Sequence, residues 1–168
     1  MTHCVSHSCG IAPAAVRWDT PITIARNPLE ATQPAMSPSD LPVEVVLDHA
    51  TGPRRAEADE LLALFGEISG EQPAVWAGRI IGFGEVEYRY ESGRGGREPL
   101  LAFAPGPRHH TIYLPEDFAV RWPDLMTGLG THRASKVCLY LTRLTDVDRG
   151  VLRKLLERSL AETRSHAR

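Results

Sequence analysis

The chain has 168 residues, 42% hydrophobic and 24% charged, a balance that suits one globular domain with a buried core. Its net charge of −2 offers no global attraction to nucleic acid or anionic membranes, and no apolar run approaches the roughly 20 residues that span a bilayer. Three cysteines form no closed disulfide framework and no secretory signal opens the chain, so a reducing cytoplasm is the expected compartment.

Residues 1–40 carry five prolines and no sustained hydrophobic period, so they cannot bury enough apolar surface to offset ordering entropy. A disordered leader is expected there, with Ile22 to Ala25 too short and isolated to define a strand. His3, Cys4, His7 and Cys9 have zinc-binding side chains, but their spacing matches no closed zinc module. Met36 stands just before the first structured stretch, which raises the expectation that the natural start lies there.

The domain is expected to span residues 41–164. Leu41 to His49 reads as a short helix with Ser39-Asp40 as caps. Thr51-Gly52-Pro53 separates it from a longer amphipathic helix, where Ala58, Leu61, Leu62, Leu64, Phe65 and Ile68 recur at three- and four-residue steps. Gly70 is its natural stop. The polar face carries Glu57, Glu60, Glu67 and Glu71, which reads either as a solvated face or as an acidic ridge for hard cations.

After Ala74 to Gly78 comes IIGFGEVEYRYESGRGG, residues 80–96, expected to be a long strand running into a glycine-rich turn. Val86, Tyr88 and Tyr90 alternate with Glu85, Glu87, Arg89 and Glu91, the pattern of a half-buried antiparallel strand. The first half breaks that alternation, so a kink near Gly84 or cover on both faces is expected. Gly93 to Gly96 is not a phosphate loop, because a strand rather than a helix should follow it. Return strands over residues 99–104 and 109–114 complete a meander, with His109 and His110 on opposite faces.

Residues 115–129 read as helical segments broken at Pro123. His132, Arg133 and Lys136 form a compact basic connection before a fourth strand, residues 137–141, where Cys138 reads as a small buried hydrophobe. Thr145 to Asp148 opens a last helix whose apolar stripe runs from Val147 through Val151, Leu152, Leu155 and Leu156 to Leu160. Residues 165–168 are expected to fray. The fold class is therefore α+β: a single two-layer domain, mainly antiparallel, packed by N-terminal and C-terminal helices.

Three segments carry a resemblance: EQPAVWAGRIIGFGEVEYRYESGR, LGTHRASKVCLYL and TDVDRGVLRKLLERS. Together they resemble the YdhG-like family, bacterial domains of unknown function, over about residues 41–163. Thr131, Ser135 and Val137 depart from the family pattern, leaving that loop less basic and less glycine-rich. The resemblance implies a compact α+β domain similar to frataxin in outline, and an iron-handling role would give Glu57, Glu60, Glu67 and Glu71 a purpose. The chain shows no GxSxG elbow, HExxH helix, Walker loop or paired CxxC. The expected function is thus a non-catalytic binding module for a small molecule or protein partner, with Tyr88, Tyr90, Arg94, His132 and Lys136 as its ligand-binding candidates. Frataxin-like iron binding and an enzyme of unassigned reaction are the alternatives.

Overall fold

The computed structural model describes residues 37–89 and 95–166, excepting the side chains of Tyr88 and Arg89. Residues 1–36 of the leader expected over 1–40, with its histidine and cysteine group, lie outside them, as do Tyr90 and Arg94. Residues 37–40 are described, and there Pro38–Ser39 pair with residues 75–76 as a short edge strand rather than lying disordered. Among the described residues nine strands run in chain order: β1 Pro38–Ser39, β2 Pro73–Trp76, β3 Ile80–Phe83, β4 Val86–Arg89, β5 Gly95–Glu98, β6 Leu101–Ala104, β7 His110–Tyr113, β8 Arg133–Ala134 and β9 Cys138–Leu141. Five α-helices accompany them among the same residues: α1 Val43–Leu47, α2 Pro53–Ser69, α3 Phe118–Arg121, α4 Pro123–Gly128 and α5 Arg149–His166. Seven strands form an antiparallel sheet in the order β1-β2-β3-β6-β7-β9-β8, while β4 and β5 form a separate two-stranded sheet. The α+β class and the meander with a later strand beside it are therefore present.

The helices follow their sequence signals. Pro53 sits at the start of α2, where its missing N–H costs nothing, and Gly70 closes the helix in the left-handed region, φ 73°. For α5 the cap is Asp148, whose Oδ1 accepts the Val151 N–H at 2.8 Å. Thr145 and Asp146 lie instead in a short 3-10 turn, and α5 runs through His166, two residues into the expected frayed tail. The first helix begins at Val43 with Pro42, not Ser39-Asp40, at its N-cap.

The sheet alternates between two environments. Val75, Ile81, Phe83, Leu101, Phe103, Ile112, Leu139 and Leu141 join the apolar faces of α1, α2 and α5 in the main core. Phe65 on α2 reaches Phe83 and Phe103 with ring centroids 5.7 and 5.0 Å away. On the opposite face, Trp76, Ile80 and Ala102 form a second buried cluster, with Tyr113 packed against it. All four residues of β3 are buried, because both faces are covered.

The long strand expected over residues 80–91 is two strands belonging to two sheets. Gly84 adopts φ +64° after β3, a left-handed turn that redirects the chain into β4. The return limb begins at Gly95, pairing Tyr88 with Gly96, so residues assigned to a turn are strand. Gly82 has a different constraint: a Cβ there would lie 2.6 Å from both the Pro99 Cβ and the Trp76 indole. Its missing side chain lets those two residues lie flat on the sheet. The basic connection also holds a short edge strand, β8, which was expected to be loop.

Gly82→Ala should lower the free energy of unfolding by about 1–3 kcal/mol, the usual range for overpacking a filled site. Urea denaturation measures this directly, and an unchanged midpoint would show that Trp76 and Pro99 yield without cost.

Candidate functional site

The acidic face of α2 is arranged as one side of a set of ion pairs. Glu60 takes a two-pronged contact from Arg149, and Glu67 accepts from Arg153 at 2.8 Å. Arg153 holds the Glu67 carboxyl below its ordinary range, first through that hydrogen bond and then through its charge. Glu57 faces inward, is 7% exposed and accepts from Arg143 at 2.8 Å. Glu71 is exposed beyond the helix end. A ridge of four free carboxylates therefore does not exist, because three are committed to arginines of the chain's closing segment. Among the described residues no group of three or more His, Cys, Asp or Glu side chains could hold a metal ion. The donor set does not fit an iron site.

Glu57 belongs to a buried polar cluster. His110, fully buried on β7, places Nε2 3.6 Å from Glu57 Oε2, and neither ring nitrogen has a hydrogen-bond partner. Burial would raise the Glu57 carboxyl, but the Arg143 hydrogen bond, the Leu144 backbone N–H and nearby positive charge outweigh it and lower its pKa. Burial depresses the His110 imidazole, against the opposing pull of Glu57, with Arg54 and His109 reinforcing the depression. His110 and His109 do face different surroundings, His109 lying half-buried edge-on against Tyr140 at 5.2 Å.

Of the candidate ligand residues, His132 donates through its Nδ1–H to the Gly130 carbonyl at 2.8 Å. Lys136 is exposed and pairs with Glu116. Tyr88 lies on β4, while its side chain, Tyr90 and Arg94 are outside the described residues. Neither His132 nor Lys136 lines the cleft described next. Arg133 sits over the Tyr140 ring, 4.6 Å from its centroid. Cys138 is half-buried rather than enclosed, and faces Tyr113 across the β7–β9 pair.

A cleft of about 810 Å³ opens where the second face of the sheet meets the turn after β7 and the last turns of α5. Ile80, Ala102 and Tyr113 come from the sheet, Pro99 and Leu100 from the β5–β6 connection, and Val137 from the approach to β9. Glu98 comes from the end of β5, Glu116 and Asp117 from the segment after β7, Arg121 from the end of α3, and Glu162 and His166 from α5. Arg121 bonds Glu162 and also donates to the Glu116 carbonyl at 3.0 Å, tying the α3 side to α5. Asp117 adopts φ 57°, a left-handed conformation that aspartate tolerates better than most residues, and its N–H donates to the Lys136 carbonyl at 2.8 Å.

Two groups in the cleft have shifted titration. Shelter of the Glu98 carboxyl raises its pKa, although much of the residue's surface remains open. Burial raises the Tyr113 phenol, with Cys138 adding to the effect. Only Tyr113 had a usable sequence signal: alternation in HHTIYL places it opposite Ile112, away from the main core. Glu98, Arg121 and Glu162 meet through tertiary approach and carry no local pattern. No protein-family model, curated protein or solved structure matches the chain.

The buried cluster predicts acid sensitivity. His110 is depressed below the ordinary imidazole value of 6.5, so the unfolded chain binds a proton that the fold resists. Stability should fall as pH drops through and below that value, and the lowered Glu57 should add further loss below 4.5. Urea midpoints between pH 7 and pH 5 should decline, and His110→Phe should flatten the decline; parallel curves would assign the sensitivity elsewhere.

The arginine pairing gives a separate expectation. Fe(II) titrated into the protein should show no saturable binding that depends on Glu60 and Glu67. Saturable binding lost on charge reversal of those residues would restore the iron reading.

Proposed function

We propose that the chain is a YdhG-like domain acting in the cytoplasm as a non-catalytic binding module for a small molecule. The cleft beside Tyr113 carries this reading. Its volume of about 810 Å³ falls within the roughly 300–1,000 Å³ usual for small-ligand sites. An apolar floor of Ile80, Ala102 and Tyr113 with polar groups at its margin is the composition such sites use, burial supplying affinity and the polar groups orientation. Arg121 is engaged by Glu162, which leaves it suited to holding the wall rather than to reacting.

On this reading the basic-loop candidates lie outside the site, Lys136 contributing only through Glu116 on the cleft lining, while Tyr90, Arg94 and the Tyr88 side chain lie outside the described residues. Screening a library of small fragments against the ¹⁵N-labelled chain tests the reading. Amide shifts should concentrate at Glu98, Leu100, Tyr113, Val137 and Glu162. Scattered shifts, or none at millimolar fragment concentration, would remove the cleft as the site.

A further inference from the structure

We infer that the cleft selects ligands carrying a protonated amine on an apolar body, an inference that rests on the cleft being a small-molecule site. The charge arrangement along the open cleft points that way. Four carboxylates line it, from Glu98, Glu116, Asp117 and Glu162, against the guanidinium of Arg121 and the imidazole of His166. Arg121 is engaged by Glu162, and Lys136, from outside the lining, by Glu116. Glu98 and Asp117 both line the cleft and make no ion pair among the described residues. Asp117 also lies close enough to Arg121 and Lys136 for its charge to help keep both protonated. That leaves Glu98 as the carboxylate an ammonium group would meet without a competing protein cation, whereas a carboxylate or phosphate would meet the net negative lining.

The apolar half of the site matches the rest of such a ligand. Ile80, Ala102 and Val137 offer hydrocarbon contact, and the Tyr113 ring adds an aromatic surface that tolerates a cation. The sheltered position of Glu98 strengthens the preference, because a partly desolvated carboxylate gains more from a cationic partner than a hydrated one. The same shelter favours its neutral form as pH falls, so amine binding should weaken when the solution enters the carboxylate range.

Hexylamine (protonated at pH 7), hexan-1-ol and hexanoate share one apolar body and differ in charge. Titrated into the ¹⁵N-labelled full chain, hexylamine should perturb the cleft amides with an affinity about tenfold above hexan-1-ol, the scale of one charge-assisted contact. Hexanoate should bind more weakly than either. Glu98→Gln, or Asp117→Asn with a side chain that also tolerates the left-handed conformation, should reduce the ratio of hexylamine to hexan-1-ol affinity severalfold. If hexan-1-ol or hexanoate matches hexylamine at the cleft, or both variants keep the full amine advantage, the charge inference is overturned while the small-ligand reading stands. If none of the three perturbs the cleft, both are overturned.

Discussion

Close approach over Gly82 organises the centre of the molecule. With no side chain at that position, Trp76 and Pro99 rest against the sheet, and a Cβ would come within 2.6 Å of each. That contact buries β3 on its second face while Ile81 and Phe83 anchor the first against α2. It also fixes where the β4–β5 hairpin rejoins the sheet, since Pro99 follows directly on β5. Pro99 and Leu100 then form one wall of the cleft, so a single missing side chain links sheet packing to the shape of the proposed site.

Electrostatics divide the molecule along the same line. On the helical side, carboxylates of α2 are matched by Arg143, Arg149 and Arg153 from the closing segment, holding two distant parts of the chain together. These exposed pairs add orientation more than stability, because water screens them. The inward Glu57 differs: burial with Arg143 and His110 makes its environment costly to disturb. On the cleft side the match is incomplete, since Glu98 and Asp117 keep no ion-pair partner among the described residues. Saturated charge suits a structural face; unsatisfied charge in an enclosure suits recognition.

Much of the fold was legible because it follows from local periodicity. The α2 stripe ending at Gly70, the α5 stripe from Val151 to Leu160 and the β6–β7 alternation each depend on neighbours within a few positions. What escaped depends on partners distant in sequence. The division of residues 80–98 between two sheets is set by Gly84 and by Pro99 folding back over Gly82, a contact no single-strand pattern contains. The edge pairings of β1 and β8 are two residues each, below the length at which alternation can register. The acidic ridge failed for the same reason, as its cancelling arginines lie more than eighty positions away. The cleft inherits this limit, drawing its polar groups from four separate regions, and only Tyr113 announced its direction in advance.

A small molecule is proposed to bind in this open cleft, over its apolar floor and beside its carboxylates. Intermolecular nuclear Overhauser contacts from bound hexylamine address it most directly. Contacts are expected from its methylene protons to the Tyr113 ring, the Val137 methyls and Ile80. Contacts confined to the exposed apolar side chains of Leu41, Val45 or Val120, away from the cleft lining, would contradict it.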